Sequence, residues 1–440
     1  MDETVIQGFS KYSKSQRIEA LIQIYNLDTE LGPWLSSFEA SDPGTQRILD
    51  DLSENTISNF HLPFSIAPNF VVNGRNLFFP LVSEESSVVA ALAHAAGFWA
   101  SRGGFHAQVL GTQKKGQVHF KWKGGVEKLR LLFPEIKKRL LAESAPLMTK
   151  MVERGGGVGS LELKEMHHVL PHYYQLDAGF ETCDAMGANF INSCLEQFAK
   201  SLQGYFSTSK NVSGEEQECH ILMAILSNYT PDSRVRAWVE CPVNNLIVGK
   251  PEEENSLFAS DFEQAIRISQ ADTSRAVTHN KGIFNGIDAL ALATGNDFRA
   301  LEACGHAFAV RGGSYRGLTE VEIKDGNFRF SIELPMAVGV VGGVTALHPL
   351  AKLAMRILRN PSAHELMMYM ATAGLASNFA AVKALVSVGI QQGHMKMHLN
   401  NILAQLNVPA EKRPAIHLYF QDKPISFSAV EQYWKNQTDV

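Results

Sequence analysis

A helix built almost wholly from small apolar residues has few places to go. SSVVAALAHAAGFWAS, residues 86–101, is such a stretch, and Gly103-Gly104 stops it. Small side chains let neighbouring backbones approach closely, so this helix belongs in a core. Upstream, SKSQRIEALIQIYNL predicts a short amphipathic helix with serine at its start and Ile18, Leu21, Ile22 and Tyr25 on one face. FVVNGRNLFFPLV carries Asn73-Gly74 between apolar runs, the signal of a two-residue hairpin turn.

The texture then changes. GQVHFKW and LELKEMHHVL alternate like half-buried strands. Between them lies a basic helical stretch, VEKLRLLFPEIKKRLLAE. RGGGVGS breaks the pattern, and DAMGANFINSCLEQFAKSLQ reads as a loop leading into a helix. From 221 an Ala- and Gly-rich helical texture resumes and runs to about 386. The remainder holds Pro409, Pro414 and Pro424 and few periodic runs. At 440 residues the chain exceeds what one core usually spans. The expectation is an α+β protein: a large, mainly helical domain from 1–108 and 221–386, a small α+β domain inserted at 109–220, and a C-terminal appendage at 387–440.

Charge and cysteine usage exclude several classes. The net charge is −5, with acids and bases interspersed, so no electrostatic case exists for a nucleic-acid or membrane-surface partner. Cys183, Cys194, Cys219, Cys241 and Cys304 are scattered, with no C-x-x-C pair, as in a reduced compartment. The start lacks a secretory apolar run, and MAVGVVGGVTALHPLAKLAM is too interrupted for a membrane helix. A soluble, cytoplasmic protein is expected.

The candidate chemistry begins with absences. There is no G-x-G-x-x-G and no G-x-x-x-x-G-K-[ST], so neither a Rossmann site nor a P-loop has support. His394 and His398 are four apart, a spacing that suits zinc, but residue 395 is Met and not the Glu of a metalloprotease helix. Glu84-Glu85 stands where a helix should begin, and acids there complement the helix dipole. Thr294-x-x-Asp297 fits a capping box. Lys281, in THNKGIFNG, is open to several roles: a surface lysine, a phosphate grip, a Schiff-base nucleophile or an oxyanion stabiliser.

Longer strings narrow the choice. The chain resembles the class II, bacterial-type hydroxymethylglutaryl-CoA reductases through ENTISNFHLPFSIAPNFVVNGRNLFFPLVSEESSVVAA, DAMGANFIN, ILSN, THNKGIFNGIDALALATGNDFRALEACGHA, LPMAVGVVGGVTALHP and GIQQGHMKMHLNNI, in the family's order. The resemblance is dense over 53–108 and 153–402. It implies reduction of hydroxymethylglutaryl-CoA to mevalonate by two hydride transfers from NADPH or NADH, through mevaldyl-CoA and mevaldehyde. It implies no metal, a homodimer with active sites at the interface, and a C-terminal flap. The small cofactor domain of this family is not a Rossmann fold, which accounts for the missing glycine signature.

The resemblance also assigns residues. Lys281 is the cation at the thioester oxygen, in a dry pocket, and Glu85 the proton donor. Asp297 stands between them and tunes both, and His394 protonates the departing thiolate. Ser87, Arg275, Asn285 and Asn228 contact substrate, and Asp184, Met186, Gly187 and Asn189 the cofactor. Gly282 and Gly286 allow close backbone approach. Residue 86 is Ser where the family usually has Pro. NADH-preferring relatives carry an aspartate that would fall near Met148. With no acid there, and Lys150 and Arg154 close by, the balance tips to NADPH. The competing readings are an acyl-CoA-binding protein without turnover and a Schiff-base lyase on Lys281.

Overall fold

The computed structural model describes residues 6–387, 399–421 and 423–438, apart from the side chains of Ser86 and Thr438. The chain starts with α1 (Lys14–Tyr25), α2 (Leu31–Ser36) and α3 (Pro43–Asp50). Ser13 and Gln16 close a reciprocal capping box on α1. None of the residues in α1 is buried, and Tyr25, expected on an apolar face, is exposed.

β1 (Phe64–Val72) and β2 (Arg75–Val82) form the expected hairpin. Asn73 and Gly74 take φ of 48° and 78°, the left-handed pair that a two-residue turn demands. α4 (Ser86–Ala100) follows and is buried through Leu92, Ala95, Ala96 and Trp99. Gly104, with φ of 79°, ends the excursion where a Cβ would meet the Val71 carbonyl at 2.6 Å.

β3 (His106–Val109) opens a four-stranded sheet that is completed much later by β8 (Arg234–Pro242), β9 (Thr319–Lys324) and β10 (Asn327–Pro335), in the order β3-β8-β10-β9. Between β3 and β8 the chain builds a second sheet. It runs through β4 (Lys114–Trp122), α5 (Val126–Val152), β5 (Gly157–Glu165), β6 (Tyr173–Glu181), α6 (Ala188–Thr208) and β7 (Cys219–Ser227), with strand order β5-β6-β4-β7. This sheet and α5 and α6 share their own core around Trp122, Tyr174, Phe180, Phe198 and Phe206. The two crossings into and out of this layer lie side by side: Leu110 donates its N–H to the Arg234 carbonyl at 2.8 Å.

α7 (Glu252–Ala271), α8 (Thr273–Ala293) and α9 (Phe298–Ala309) precede β9, while α10 (Gly343–Leu347), α11 (Pro349–Ile357) and α12 (Ala363–Val386) follow β10. α12 is buried on nearly every side, which is why its sequence is so rich in Ala and Met. Residues 399–405, Arg413–Tyr419 and Phe427–Thr438 are helical and share a small core of their own around Leu403, Ile416, Phe420 and Val430.

Two expectations need correction. The texture boundary at 220 falls inside β7, because β7 is an edge strand whose burial does not alternate cleanly. The stretch after 221 is not uniformly helical, since it supplies β8, β9 and β10. β8 alternates buried and open residues, but its inward positions include Ala237 and Cys241, and the small residues masked the strand period.

Candidate active site

The loop from β2 into α4 delivers Glu85. Its backbone caps α4 in an extended conformation, yet its carboxylate does not cap the helix. It turns instead to Ser87, whose Oγ donates to Glu85 Oε1 at 2.7 Å, and to Lys281, whose Nζ lies 3.1 Å from Oε2. The carboxylate is therefore aimed at a neighbouring helix and not at the start of its own. Lys281 comes from the middle of α8, a helix anchored by Ile283, Phe284, Ile287 and Leu290 in the core.

The site is open: the Lys281 side chain is 62 % exposed and that of Glu85 38 %. The dry pocket expected around the lysine is not formed by the described residues. An ion pair this exposed adds little to stability. Little energy therefore opposes its rearrangement when a ligand arrives.

Asp297 is not interposed between Lys281 and Glu85. It caps α9, accepting the Ala300 N–H at 3.2 Å and the Arg299 Nε–H at 3.1 Å. Burial pushes its carboxyl up, but the Arg299 hydrogen bond and the helix N–H outweigh it and hold the group below its ordinary value. The Thr294 cap is also corrected. Thr294 closes the end of α8, donating its hydroxyl to the Leu290 carbonyl at 2.8 Å, and Asp297 itself is the cap.

On α8, a spacing of four and seven residues puts Asn285 and Asp288 on the stripe of Lys281. Arg275 lies about 120° round the helix from Lys281 at ~100° per residue. Asn228 is exposed in the turn after β7. Of the predicted substrate contacts, Ser87 is the one whose hydrogen bond ties it directly to the Glu85–Lys281 pair. His394 and His398 lie outside the described residues. Among those that are described, no group of three or more His, Cys, Asp or Glu could hold a metal.

Two neighbours of Lys281 gain structural roles that the sequence did not reveal. His279 is buried against Thr319, its Nε2 2.6 Å from Oγ1, and burial together with the Arg275 charge presses its pKa to about 3. Asn280 donates to the Arg316 carbonyl at 3.0 Å and accepts the Leu318 N–H at 3.0 Å, fastening α8 to the segment before β9. Gly286 is needed for close approach, since a Cβ would collide with the backbone of Ala373. A Cβ on Gly282 would meet nothing within 4 Å, so close packing does not explain that glycine.

Asp288 carries no sequence motif, yet its setting is unusual. Burial, the Glu302 charge, a hydrogen bond with Glu302 and the Glu84 charge raise its carboxyl to about 8. A buried carboxyl beside other acids is stabilised in its neutral form. The signal available in the sequence was its seven-residue spacing from Lys281.

The loop from β6 into α6 holds Asp184, Met186 and Gly187, and Asn189 is exposed in the first turn of α6. Gly187 takes φ of 96°, and no side chain caps α6. Beneath this loop lies Lys114, another residue that no motif announces. It is 6 % exposed and donates to the Thr182 hydroxyl and, at 2.9 Å, to the Ala185 carbonyl. Burial lowers its pKa to about 8, with Glu181 and Cys183 opposing. The glycine run RGGGVGS abuts the same loop, where Cys183 Sγ donates to the Arg154 carbonyl at 3.2 Å.

The family model for Hydroxymethylglutaryl-coenzyme A reductase matches residues 15–399. This chain belongs to that family. A 3-hydroxy-3-methylglutaryl-coenzyme A reductase of Archaeoglobus fulgidus is 35% identical over 407 residues, covering 90% of this chain and 86% of the relative. A probable 3-hydroxy-3-methylglutaryl-coenzyme A reductase of Borreliella burgdorferi is 35% identical over 357 residues, covering 81% and 78%. Among solved structures, the class II 3-hydroxy-3-methylglutaryl-CoA reductase from Streptococcus pneumoniae, bound to NADPH in open conformations, is similar with a TM-score of 0.70 and 37% identity. That match covers 87% of this chain and all of the other. The resemblance read from the strings is therefore borne out, and the mixed α+β fold is that of the reductase family.

Proposed function

We propose that this chain reduces hydroxymethylglutaryl-CoA to mevalonate, releasing CoA, as an NAD(P)H-dependent oxidoreductase. The observation that carries this reading is the Lys281–Glu85 pair, formed by two family strings that are far apart in sequence and 3.1 Å apart in space. Lys281 places a positive charge where a carbonyl oxygen becomes negative, first on the thioester and then on the aldehyde. Glu85 sits within reach of the same oxygen and donates a proton there, with Ser87 orienting its carboxylate. Asp297 supports Lys281 once the ligand draws it from Arg299. Arg275, Asn285 and Asn228 complete substrate recognition, and His394 protonates the departing thiolate.

A nicotinamide cofactor supplies hydride to this site when bound. The residues fit it: α6 starts at a left-handed glycine and carries no side-chain cap, so its N-terminus suits a pyrophosphate. Asp184, Met186, Gly187 and Asn189 would hold it, within a cofactor domain formed by the second sheet, from β4 to β7, with α5 and α6. Lys150 and Arg154 favour the 2′-phosphate of NADPH over NADH. The exposure of Lys281 supports closure of the site by a second copy of the chain and by the C-terminal segment 387–440, in a cytoplasmic homodimer. Among the described residues no helix is long and apolar enough to cross a membrane.

The test is to follow NADPH and NADH absorbance separately with hydroxymethylglutaryl-CoA present. Two NADPH oxidised per CoA released is expected. Binding of the thioester with neither cofactor consumed would instead identify an acyl-CoA-binding protein. Borohydride trapping of substrate on Lys281 would identify a Schiff-base enzyme, and no trapping is expected.

A further inference from the structure

Lys281 stands in water, but the turn of α8 that carries it is held in the core. His279, Thr319 and Asn378 are each 1 % exposed or less, and they come from three elements, α8, β9 and α12. Their hydrogen bonds close into a ring. Asn378 donates its Nδ2–H to the backbone carbonyl of His279 at 3.2 Å. Thr319 Oγ1 lies 3.2 Å from Asn378 Oδ1. His279 Nε2 lies 2.6 Å from Thr319 Oγ1, which returns the path to the residue where it began.

The ring runs one way only. A backbone carbonyl can only accept, so Asn378 must turn its nitrogen to His279 and its oxygen to Thr319. The threonine hydroxyl has one proton to give, and Asn378 Oδ1 takes it. His279 must then carry its proton on Nε2 and donate it to Thr319. Burial and the Arg275 charge keep the imidazole uncharged. Its Nδ1 is buried and has no partner among the described residues. No member of the ring is ionised at neutral pH, so its donors stay the same throughout the working range.

Two more bonds flank Lys281. Ser377 donates its hydroxyl to the Gly282 carbonyl at 2.8 Å, and Asn280 ties the turn to residues 316 and 318. Residues 279, 280 and 282 are thus each held from outside α8, while the Lys281 side chain between them points to Glu85.

We propose that the His279–Thr319–Asn378 ring positions Lys281 for hydride transfer by fixing the root of its side chain. The proposal rests on the assignment of Lys281 to the carbonyl oxygen. A long side chain in water has no fixed place of its own, so its reach is set by where its Cα stands. Breaking one buried bond leaves a donor or an acceptor unpaired, and α8 must shift to recover one. A misplacement of about 1 Å at a reacting centre costs about 10²-fold in rate.

Steady-state rates with hydroxymethylglutaryl-CoA, taken with NADPH and with NADPH deuterated at the transferred position, test this on the full chain. The folded fraction of each variant is taken from circular dichroism, and kcat is expressed per folded molecule. Thr319→Val removes one hydroxyl at nearly constant shape. It should lower kcat by about 10–10²-fold, keep both KM values within about twofold, and show a deuterium isotope effect at least as large as that of the wild type. Thr319→Ser keeps the hydroxyl and should hold kcat within about threefold of the wild type. Asn378→Ala, which leaves room for water, should act like Thr319→Val and serves if that variant does not fold. An unchanged kcat in either folded variant, an isotope effect below that of the wild type, or a Thr319→Ser as slow as Thr319→Val overturns the positioning role. A wild type that binds the thioester but consumes no NADPH overturns the functional reading, and the positioning role with it.

Discussion

Lys281 and Lys114 face the two halves of the proposed reaction in opposite ways. Lys281 is largely in water and has a carboxylate for a partner. Lys114 is sealed under the 182–187 loop with two neutral oxygens for partners, and its pKa has fallen to about 8. The family strings single out the lysine that stands in water and ignore the one that burial perturbs. A perturbed pKa here marks the cost of shaping a loop. An exposed ion pair marks a cation kept loose for an incoming carbonyl.

The largest expected effect breaks the comparison at Lys281. Lys281→Ala should slow NADPH oxidation by about 10²–10³-fold or more. Its melting temperature should stay near that of the wild type, because an exposed pair contributes little. A large loss of stability in a thermal melt would show that Lys281 is structural.

Lys114→Met should act on binding and on pH dependence. The KM for NADPH should rise about tenfold, the equivalent of one charged hydrogen bond, with a smaller change in the KM for hydroxymethylglutaryl-CoA. Because the folded pKa lies below the ordinary value, folded Lys114 binds fewer protons than unfolded between about 8 and 10.5. Its contribution to stability therefore rises through that window. Melts across pH 8 to 10.5 should show this rise in the wild type relative to Lys114→Met, and equal slopes would refute the buried charge.

The smallest effect on turnover concerns Asp288, on the Lys281 stripe. Its pKa is raised from 3.8 to about 8, so the folded state holds a proton that the unfolded state has released. Stability from this group falls as pH climbs through that range. Asp288→Asn keeps the neutral shape and should gain melting temperature over the wild type progressively from about pH 4 to 8. A constant difference across that range would rule out a protonated, buried Asp288.

Much of this was legible in the residues. The Asn73-Gly74 hairpin and the small-residue helix α4 followed from local rules, and the Glu85–Lys281 partnership followed from the family strings. What was not legible depended on packing. β8, β9 and β10 hid in a stretch read by composition, and β7 hid because an edge strand has no clean period. Asp297 looked like half of a capping box, but the α9 cap and Arg299 both bond to its Oδ1. Lys114 and Asp288 acquire their character from residues distant in sequence, Thr182 and Ala185 for the one and Glu302 for the other.

The side-by-side crossings at Leu110 and Arg234 carry a further consequence. Val109 and Val235 are directly paired in the large sheet, so the whole second layer hangs from the tip of what would otherwise be a simple β-hairpin. Two adjacent strands joined by hydrogen bonds flex readily across their common plane and resist shear within it. The layer is therefore joined covalently at one short hinge, and the bonds from Val340 and Ala363 to Asp184 latch it at a second point. A tight turn joining 109 to 235 would close the large sheet without it, which makes the second layer a natural unit to exchange between relatives.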